Sequence, residues 1–241
     1  MNNNTERKQS RKILDLPEDD RPREKLINHG AESLTNAELL AIMIGSGIPG
    51  KSATDLAQEL LDKYDNNLTQ LARINVHELM QIGGIGKAKA AHIVATLEFG
   101  NRKSQYDAEH TIKKITSPHD AYKLLKPYMI NYPEEHFRIL MLDNNCNVLR
   151  NEELLKGGRD SIMIDIRSLF KQILLSNATR FIISHNHPSG NTKPSIQDEK
   201  ITEKIREAAQ TVSLKFDDHI IVGPRSFYSF ANESEYQECN T

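Results

Sequence analysis

The 241-residue sequence predicts an α/β protein, α+β overall, in which an all-helical N-terminal domain is followed by a C-terminal domain of strands and helices. Two observations predict this organisation. Up to about residue 100, apolar residues recur at the spacing of amphipathic helices, as at Leu56, Leu60 and Leu61. Beyond residue 116, short apolar runs typical of buried strands alternate with helical patterns, which is the order found in mixed α/β domains.

The predicted domain boundaries follow changes in composition along the chain. Residues 1–15 begin with a run of asparagines and alternating charges, and we predict that they are disordered. The helical domain is predicted at 16–102 and the C-terminal domain at 117–238. The polar and charged segment between them, 103–116, is typical of a linker.

Within the C-terminal domain, the apolar patterns predict four strands and two helices. The predicted strands are Phe137–Leu142, Ile162–Ile166, Phe181–His185 and His219–Val222. The predicted helices are Ile166–Ser176 and Ile196–Val212. In the second helix, apolar residues recur on one face, which indicates that this face packs on the sheet.

The composition excludes several classes of protein. Lys and Arg number 31 against 33 Asp and Glu, so the chain lacks the overall basic charge of many nucleic-acid-binding proteins, and any such binding must be local. Cys146 and Cys239 are far apart, which argues against a disulfide framework and fits a reducing cytoplasm. No apolar run approaches the ~20 residues of a membrane span, and the N-terminus lacks the apolar core of a signal peptide. We therefore expect a soluble, cytoplasmic protein.

A short polar motif begins where the third predicted strand ends. Side chains two residues apart in a strand point to the same side, so His185 and His187 are expected to direct both imidazoles into one space. The chain then turns at Pro188-Ser189-Gly190, and a helix is predicted to begin near Ser195, with Asp198 in its first turn facing the histidines. Two imidazoles and a carboxylate leave room for a water molecule, which is typical of catalytic zinc sites, whereas structural zinc sites have four protein ligands.

The same helix start also has a purely structural interpretation. Ser195-x-x-Asp198 before an apolar helical segment is close to a capping box, with Asp in place of the usual Glu or Gln. A cap does not need two alternating histidines and a Pro-Ser-Gly turn just upstream, so the joint pattern favours a metal site. Ser195 and Asp198 can cap the helix and serve the metal at once.

The spacing His-x-His, seven residues, then Ser-x-x-Asp resembles the JAMM motif of MPN-domain (JAB) metalloproteases. The residues His185–Gly190 and, downstream, Asp218–Gly223 resemble the RadC-like branch of this family, and the resemblance spans about residues 16–229. It implies an MPN/JAB domain, in which a mixed β-sheet is flanked by helices as in cytidine deaminases. It also implies one Zn²⁺ per chain.

The resemblance further implies the roles of individual residues. His185, His187 and Asp198 hold the zinc, and the hydroxyl of Ser195 contacts the reacting centre, where it can donate to a developing oxyanion. An upstream Glu takes the proton of the zinc-activated water and later passes it to the leaving amine. The implied reaction is hydrolysis of an amide bond in a peptide or an isopeptide.

Two adjacent glutamates precede the strand predicted to begin at Phe137. The family has its general base just before this strand. We predict Glu135 rather than Glu134, because a Glu two residues before the aromatic residue fits the family pattern better. Without the zinc cluster, this pair would be interpreted as an exposed acidic turn. Glu152 and Glu153 are weaker candidates.

Two positions depart from the family pattern. Many relatives have Pro-Arg-Glu before the helix that precedes the metal strand, where this chain has Asp165–Ser168, and many have Gly-Thr where this chain has Gly157-Gly158. Neither position supplies a zinc ligand, so the predicted metal site is unaffected. Contacts to substrate on that side are not carried over from the family to this chain. Downstream, Asp218 and His219 are interpreted as a structural pair or as a pair that supports the metal ligands.

The N-terminal domain contains a glycine-rich turn between two predicted helices, at Ile82–Ala90. It resembles a helix-hairpin-helix, in which glycines let backbone N–H groups approach a DNA phosphate and the positive N-terminus of the second helix adds to the attraction. The candidates for contact with the DNA backbone are Gly84, Gly86, Lys87 and Lys89. Such contact would have little sequence specificity and would weaken with salt. The alternative is a tight turn that serves only packing or contacts with a protein.

An earlier glycine-rich stretch, Gly45–Ser52, matches the letters of a phosphate-binding P-loop. The context does not support that function, because helices rather than a strand flank the loop and no acidic partner strand is evident. The stretch is also a candidate for a degenerate second hairpin.

The sequence suggests three alternative functions. The first is a zinc metallopeptidase-like hydrolase of the RadC-like JAMM group, acting on a peptide or isopeptide that the sequence does not identify. The second is a DNA-associated repair or recombination adaptor that keeps a zinc site but has little turnover. The third, an HNH-type nuclease, is suggested by His185-Asn186-His187, but those nucleases spread these residues over a ββα unit. The sequence does not indicate an oligomeric state.

Overall fold

The structure, a computed structural model, describes residues 16–156 and 164–238. The described chain forms two compact units, with the division after Gly100. The segment 1–15, predicted to be disordered, lies outside the described residues, as do Gly157-Gly158 and Cys239.

The N-terminal unit is built from helices whose apolar faces meet in one core. They are α1 (Pro22–His29), α2 (Asn36–Ile44), α3 (Ala53–Lys63), α4 (Leu68–Ala72), α5 (Val76–Met80) and the start of α6 (Lys87–Thr111). Thr35, Ser52 and Asn75 begin α2, α3 and α5, and each forms a reciprocal capping box with the third helical residue. Leu56 and Leu60 are fully buried in the core. The helical character predicted for this part of the chain is confirmed.

Helix α6 is longer than the sequence predicts. The segment 103–116, predicted as a linker, is helical as far as Thr111. A helix forms there because no glycine or proline interrupts residues 101–111 and because Lys103 pairs with Asp107 one turn later. The segment is largely polar, so apolar periodicity gave no helical signal. Of the helices in the described ranges, none is both long and apolar enough to span a lipid bilayer.

The C-terminal unit is a six-stranded mixed sheet with helices on both faces. After α6 it contains α7 (Pro118–Leu125), β1 (His136–Leu142), β2 (Val148–Lys156), α8 (Ile166–Leu175), β3 (Arg180–Asn186), α9 (Ile196–Thr211), β4 (Lys215–Val222), β5 (Ser226–Ser229) and β6 (Ser234–Gln237). Among the described residues, the strand order is β2-β1-β3-β4-β5-β6; β3 and β4 are parallel, and the other neighbouring pairs are antiparallel. The predicted mixed sheet flanked by helices is confirmed.

The two faces of this sheet pack against different helices. On one face, residues such as Leu140 and Ile182 form a core with α7. On the other, Ile139 and Ile183 form a core with α8 and α9. Because side chains alternate along a strand, His185 projects toward α8 and α9, whereas its neighbour Asn186 projects toward the opposite face.

Most of the predicted elements of this unit are found. The predicted strands Phe137–Leu142, Phe181–His185 and His219–Val222 lie within β1, β3 and β4. The predicted helices Ile166–Ser176 and Ile196–Val212 match α8 and α9 to within one residue. The edge strands β2 and β6 were not predicted, because charged residues interrupt the apolar pattern of a strand that only one neighbour covers.

One predicted strand, Ile162–Ile166, is wrong over its described part. Residues 164 and 165 lie in no strand, and Ile166 begins α8, while 162–163 lie outside the described residues. The side chain of Asp165 accepts a hydrogen bond from the backbone N–H of Arg167 and so caps α8. This cap starts a helix where the apolar alternation alone suggested a strand.

Candidate metal centre

Side chains from β3, from the loop after it and from α9 meet beside the end of β3. His185, His187 and Asp198 each offer an atom within 4.8 Å of the other two. The Nε2 atom of His185 is 2.9 Å from Nε2 of His187 and 3.1 Å from Oδ1 of Asp198. Nε2 of His187 is 3.5 Å from Oδ2 of Asp198. His185 is buried, whereas 20% of the His187 side chain is exposed, so the cluster is reached from solvent on the His187 side.

These three donor atoms fit a zinc ion. Zinc binds imidazole nitrogen and carboxylate oxygen at about 2.0–2.2 Å, which puts the ligand atoms of a tetrahedral site about 3.3–3.5 Å apart. The separations of 2.9, 3.1 and 3.5 Å, of which the last two involve different oxygens of Asp198, are close to this value. Three protein ligands also leave one of the four positions for water or substrate, as in catalytic zinc sites. Metal binding by these three residues stays a prediction.

The loop after β3 fixes the orientation of the His187 ring. Nδ1 of His187 is 2.7 Å from the backbone carbonyl oxygen of Asn191. A carbonyl can only accept, so Nδ1 carries a proton and the neutral ring presents the lone pair of Nε2 to the cluster. In the metal-free protein, the hydrogen bond to Asp198 raises the pKa of His187, against the opposing effect of burial.

The carboxylate of Asp198 is held in its ionised form. Burial alone would raise the pKa of Asp198, but hydrogen bonds from His185 and His187 hold that pKa well below its usual range. The cluster therefore combines a permanent negative charge with two imidazoles. Such a combination favours a bound cation, whether a proton or a metal ion.

Asp198 also caps the helix on which it lies. The backbone N–H of Ser195 donates to Oδ2 of Asp198 at 2.7 Å, and the N–H of Asp198 donates to Oγ of Ser195 at 3.2 Å. The capping box suggested by the sequence is therefore present, beside the two histidines. Since Oγ of Ser195 accepts from the backbone, its O–H proton remains available for a further acceptor. Whether Ser195 contacts a reacting centre stays a prediction.

A buried histidine on β4 contacts the far side of His185. Nε2 of His219 is 2.8 Å from Nδ1 of His185, and Nδ1 of His219 is 2.6 Å from Oγ1 of Thr202. The Thr202 hydroxyl is in turn 2.6 Å from the backbone carbonyl oxygen of Asp198. His219 is completely buried, and this burial lowers its pKa well below the usual value, so the ring is neutral.

Asp218 does not share this role with its neighbour. Its carboxylate accepts hydrogen bonds from the Ser229 hydroxyl at 2.6 Å and from the Ala231 N–H at 2.8 Å. Burial raises the pKa of Asp218, although these hydrogen bonds act in the opposite direction. Of the pair singled out in the sequence, His219 supports the cluster and Asp218 stabilises the turn that follows β5.

The predicted general base lies next to the cluster. Glu135 immediately precedes β1, its Oε1 is 4.0 Å from Nε2 of His185, and 34% of its side chain is exposed. Two hydrogen bonds from the buried side chain of Asn186 bracket Glu135. Oδ1 of Asn186 accepts from the His136 N–H at 2.7 Å, and Nδ2 donates to the Glu134 carbonyl at 3.0 Å. Asn186 thus fixes the backbone on both sides of Glu135.

Sequence analysis did not predict this role of Asn186. The available signal was an amide at the end of a buried strand, where strand alternation puts it on the opposite face from His185. The weaker candidates for the base have other partners. Oε1 of Glu153 is 2.6 Å from Nδ1 of His136, and Glu152 pairs with Arg150 at 3.0 Å.

In the N-terminal unit, the predicted hairpin follows α5, and α6 begins at Lys87. Gly84 has a φ of +92°, and a Cβ there would lie 3.0 Å from the Ile48 side chain, so both backbone conformation and space require glycine. A Cβ at Gly86 would meet open space. The turn therefore has a close-packed side at Gly84 and an open side at Gly86.

The two lysines of this hairpin differ in their surroundings. Lys87 is exposed. Nζ of Lys89 donates to the backbone carbonyls of Ser46, at 2.6 Å, and Gly84, at 2.9 Å, and so joins the two glycine-rich loops. Lys89 therefore has an internal role in this turn, and contact of Gly84, Gly86, Lys87 and Lys89 with a DNA phosphate stays a prediction.

The structure agrees with the sequence argument against a P-loop at Gly45–Ser52. The N-terminus of α3, where a phosphate would bind, is occupied by a capping box. The Ser52 N–H donates to the Asp55 carboxylate at 2.8 Å, and the Asp55 N–H donates to Ser52 Oγ at 3.1 Å. Lys51 forms an ion pair with Glu59 at 2.6 Å. A carboxylate at this helix start opposes the binding of an anion.

Comparison with known proteins identifies relatives of both units. Residues 115–236 match the RadC-like JAB domain, and residues 13–91 match the UPF0758 N-terminal domain. The chain is 43% identical to a UPF0758 protein of Flavobacterium johnsoniae, over 92% of this chain and 96% of that protein. UPF0758 proteins of Methanosarcina mazei and Porphyromonas gingivalis are 40% and 38% identical, over 92% of this chain and 96% and 98% of those proteins. The resemblance inferred from the motif is confirmed, and the chain belongs to the RadC-like JAB domain family.

Proposed function

We propose that this chain is a zinc-dependent hydrolase that cleaves an amide bond in a peptide or an isopeptide. The observation that carries the proposal is the convergence of three donor atoms, from His185, His187 and Asp198, within 4.8 Å of one another. The Glu135 carboxylate lies 4.0 Å from the same His185 nitrogen. Membership of the RadC-like JAB domain family supports a JAMM-type hydrolase.

Each residue of the site has a chemical task. A zinc ion, when bound by His185, His187 and Asp198, acidifies water and polarises a carbonyl group. Glu135 accepts the proton released by the attacking water and returns it to the leaving amine. The Ser195 hydroxyl, which keeps its proton while Oγ caps α9, donates a hydrogen bond to the oxyanion.

The first test is the zinc content of protein purified without chelators. We expect about one zinc per chain in the wild type and loss of zinc in His187→Ala and Asp198→Ala, because two ligands do not hold the ion well. His77→Ala is a matched control, since His77 is exposed in the N-terminal unit. A wild type without zinc after reconstitution would contradict the proposal.

The second test is hydrolysis by the zinc-loaded protein of a panel of peptides and of peptides linked through a lysine side chain. Glu135→Gln removes the proton acceptor without removing a donor to zinc, so we expect normal zinc content and a loss of turnover of roughly 10²–10⁴-fold. Glu134→Gln is the matched control and should keep both the zinc content and the turnover of the wild type. Activity that survives Glu135→Gln would exclude this residue as the base. Absence of hydrolysis across the panel would favour the adaptor.

A second function, contact with the DNA backbone, is favoured by the hairpin of the N-terminal unit. Lys87 is exposed at the first position of the 25-residue helix α6, and the space at Gly86 is open. A helix N-terminus with an adjacent lysine attracts phosphate. This contact would serve either a hydrolase that acts near DNA or an adaptor with little turnover.

A further inference from the structure

We propose that Thr202, on α9, is a positioning residue that determines which nitrogen of His185 carries the ring proton, so that the lone pair of Nε2 is available to the metal centre. The inference rests on the proposed function, because it assigns a role toward the same zinc site. Thr202 touches neither the donor nitrogen of His185 nor the predicted base. It acts through His219, along a chain of three hydrogen bonds that ends at a backbone carbonyl.

The direction of this chain is fixed at its Thr202 end. Oγ1 of Thr202 is 2.6 Å from the carbonyl oxygen of Asp198, and a carbonyl oxygen has no proton to give. The only proton of the hydroxyl therefore lies in that bond. Oγ1 is also 2.6 Å from Nδ1 of His219, so Oγ1 must accept there and Nδ1 must carry a proton.

The same reasoning extends from His219 to His185. His219 is completely buried between the sheet and α9, so its ring is neutral and carries only one ring proton, on Nδ1. Its Nε2 is therefore an acceptor, and it is 2.8 Å from Nδ1 of His185. Nδ1 of His185 must donate. In the neutral ring that binds a metal, this leaves the lone pair on Nε2, the nitrogen that faces the cluster.

Without the Thr202 hydroxyl, the positions of the ring protons on His219 and His185 are no longer fixed. His219 then has no acceptor for an Nδ1 proton, and it can satisfy itself by carrying its proton on Nε2 and donating to His185. That reversal moves the remaining proton of a neutral His185 to Nε2, where it points into the metal site. A ring in this state must change tautomer before it can bind a metal, so the affinity for zinc falls.

Back-bonding of a threonine to the helix is a simpler role for the same side chain, and α9 contains a control for it. Thr211 also donates to the carbonyl four residues earlier, that of Glu207, at 3.1 Å. Thr211 is exposed, whereas Thr202 is buried and faces a histidine. A role in the helix alone predicts similar effects at both positions. A role in fixing the ring protons of His219 and His185 predicts an effect only at Thr202.

The first experiment observes the tautomers directly. Long-range ¹H–¹⁵N spectra of the full-length, histidine-labelled, metal-free protein at alkaline pH show which nitrogen of each neutral ring is protonated. Signals are assigned with His185→Gln and His219→Gln. In the wild type, Thr202→Ser and Thr211→Val, we expect His219 to carry its proton on Nδ1. In Thr202→Val, we expect His219 to carry it on Nε2.

The second experiment measures zinc affinity by competition with a chelator. Removal of an indirect support of a ligand typically weakens binding by about 10–100-fold, and we expect this loss in Thr202→Val. Thr202→Ser and Thr211→Val should bind zinc within about twofold of the wild type. If Thr202→Val does not fold, Thr202→Ala removes the same hydroxyl without adding bulk.

The two experiments separate this inference from the proposed function. A wild-type His219 protonated on Nε2 overturns the inference even if zinc binds tightly. Equal losses of affinity in Thr202→Val and Thr211→Val also overturn it, because they indicate a role in the helix only. A wild type that shows the expected tautomers but binds no zinc refutes the proposed function and leaves the proton order established.

Discussion

Replacing Asn186 by alanine is expected to loosen the backbone at Glu135 while leaving the proposed metal ligands in place. The side chain of Asn186 projects to the face opposite His185 and makes two hydrogen bonds, to the His136 N–H and the Glu134 carbonyl. Removing both detaches the residues on either side of Glu135 from β3. We therefore expect zinc to be retained and hydrolysis to fall.

The expected loss of stability follows from the burial of the two partners. The N–H of His136 belongs to a buried residue, and leaving it without an acceptor costs about 1–3 kcal/mol. The carbonyl of Glu134 belongs to an exposed residue, so water can replace the bond from Asn186. Losing this hydrogen bond therefore costs only about 0.5–1.5 kcal/mol. The free energy of unfolding should decrease by about 2–4 kcal/mol.

Ser184→Ala is a matched control on the same strand and the same face. The Ser184 side chain is fully buried, and its hydroxyl has no hydrogen-bond partner among the described residues. Removing an unsatisfied buried hydroxyl recovers a desolvation cost of about 1–3 kcal/mol, less a little packing. The variant should be as stable as the wild type or more stable.

Both variants are measured by urea unfolding of the metal-free protein, followed by circular dichroism, and by hydrogen exchange at the His136 amide. We expect Asn186→Ala to have a lower midpoint and faster exchange at His136, and Ser184→Ala to show neither change. A loss below about 1 kcal/mol for Asn186→Ala, or an equal loss for Ser184→Ala, would refute the reasoning.

Three further predictions concern the metal site and the hairpin. Since Asp198 raises the pKa of His187, that ion pair stabilises the metal-free protein below the ordinary histidine pKa, and its contribution disappears as the pH rises through the raised value. Zinc binds only the neutral His187 ring, so the apparent affinity for zinc should fall by about tenfold per pH unit below the raised pKa. The affinity is measured by competition with a chelator, and an affinity that does not change between about pH 5 and 8 would contradict this prediction. Lys89→Gln should destabilise the N-terminal unit by roughly 1–3 kcal/mol in urea unfolding, because Nζ bonds two carbonyls, while Lys87→Gln should not. Lys87→Gln should instead weaken any DNA binding and reduce its salt slope by about one, whereas an unchanged slope would exclude a phosphate contact.

The parts of the site that lie close together in sequence could be predicted from it. His185 and His187 are separated by one residue at the end of a buried strand, and Ser195 and Asp198 by three positions of one helix. Strand alternation and helix geometry relate the members of each pair without tertiary information. The loop 188–194, in which the Thr192 hydroxyl donates to Glu235 at 2.6 Å, connects the two pairs.

The supporting residues could not be predicted, because their contacts join distant parts of the chain. His219 meets His185 only because β4 lies parallel to β3, and Thr202 meets His219 only because α9 packs on that face. Asn186 brackets Glu135 because β1 pairs with β3 in one register. Pairing and register of strands distant in sequence are not encoded in local periodicity.

One side chain, that of Asp198, takes part in both the helix cap and the proposed metal site, as the sequence suggested. A carboxylate has two oxygens: Oδ2 of Asp198 accepts from the Ser195 N–H, while Oδ1 lies 3.1 Å from Nε2 of His185. The cap holds the carboxylate at the positive end of α9, which favours its ionised form. The hydrogen bonds of the capping box and the histidines therefore act together to keep Asp198 charged. The local signal for a helix start thus also places an ionised carboxylate beside His185 and His187.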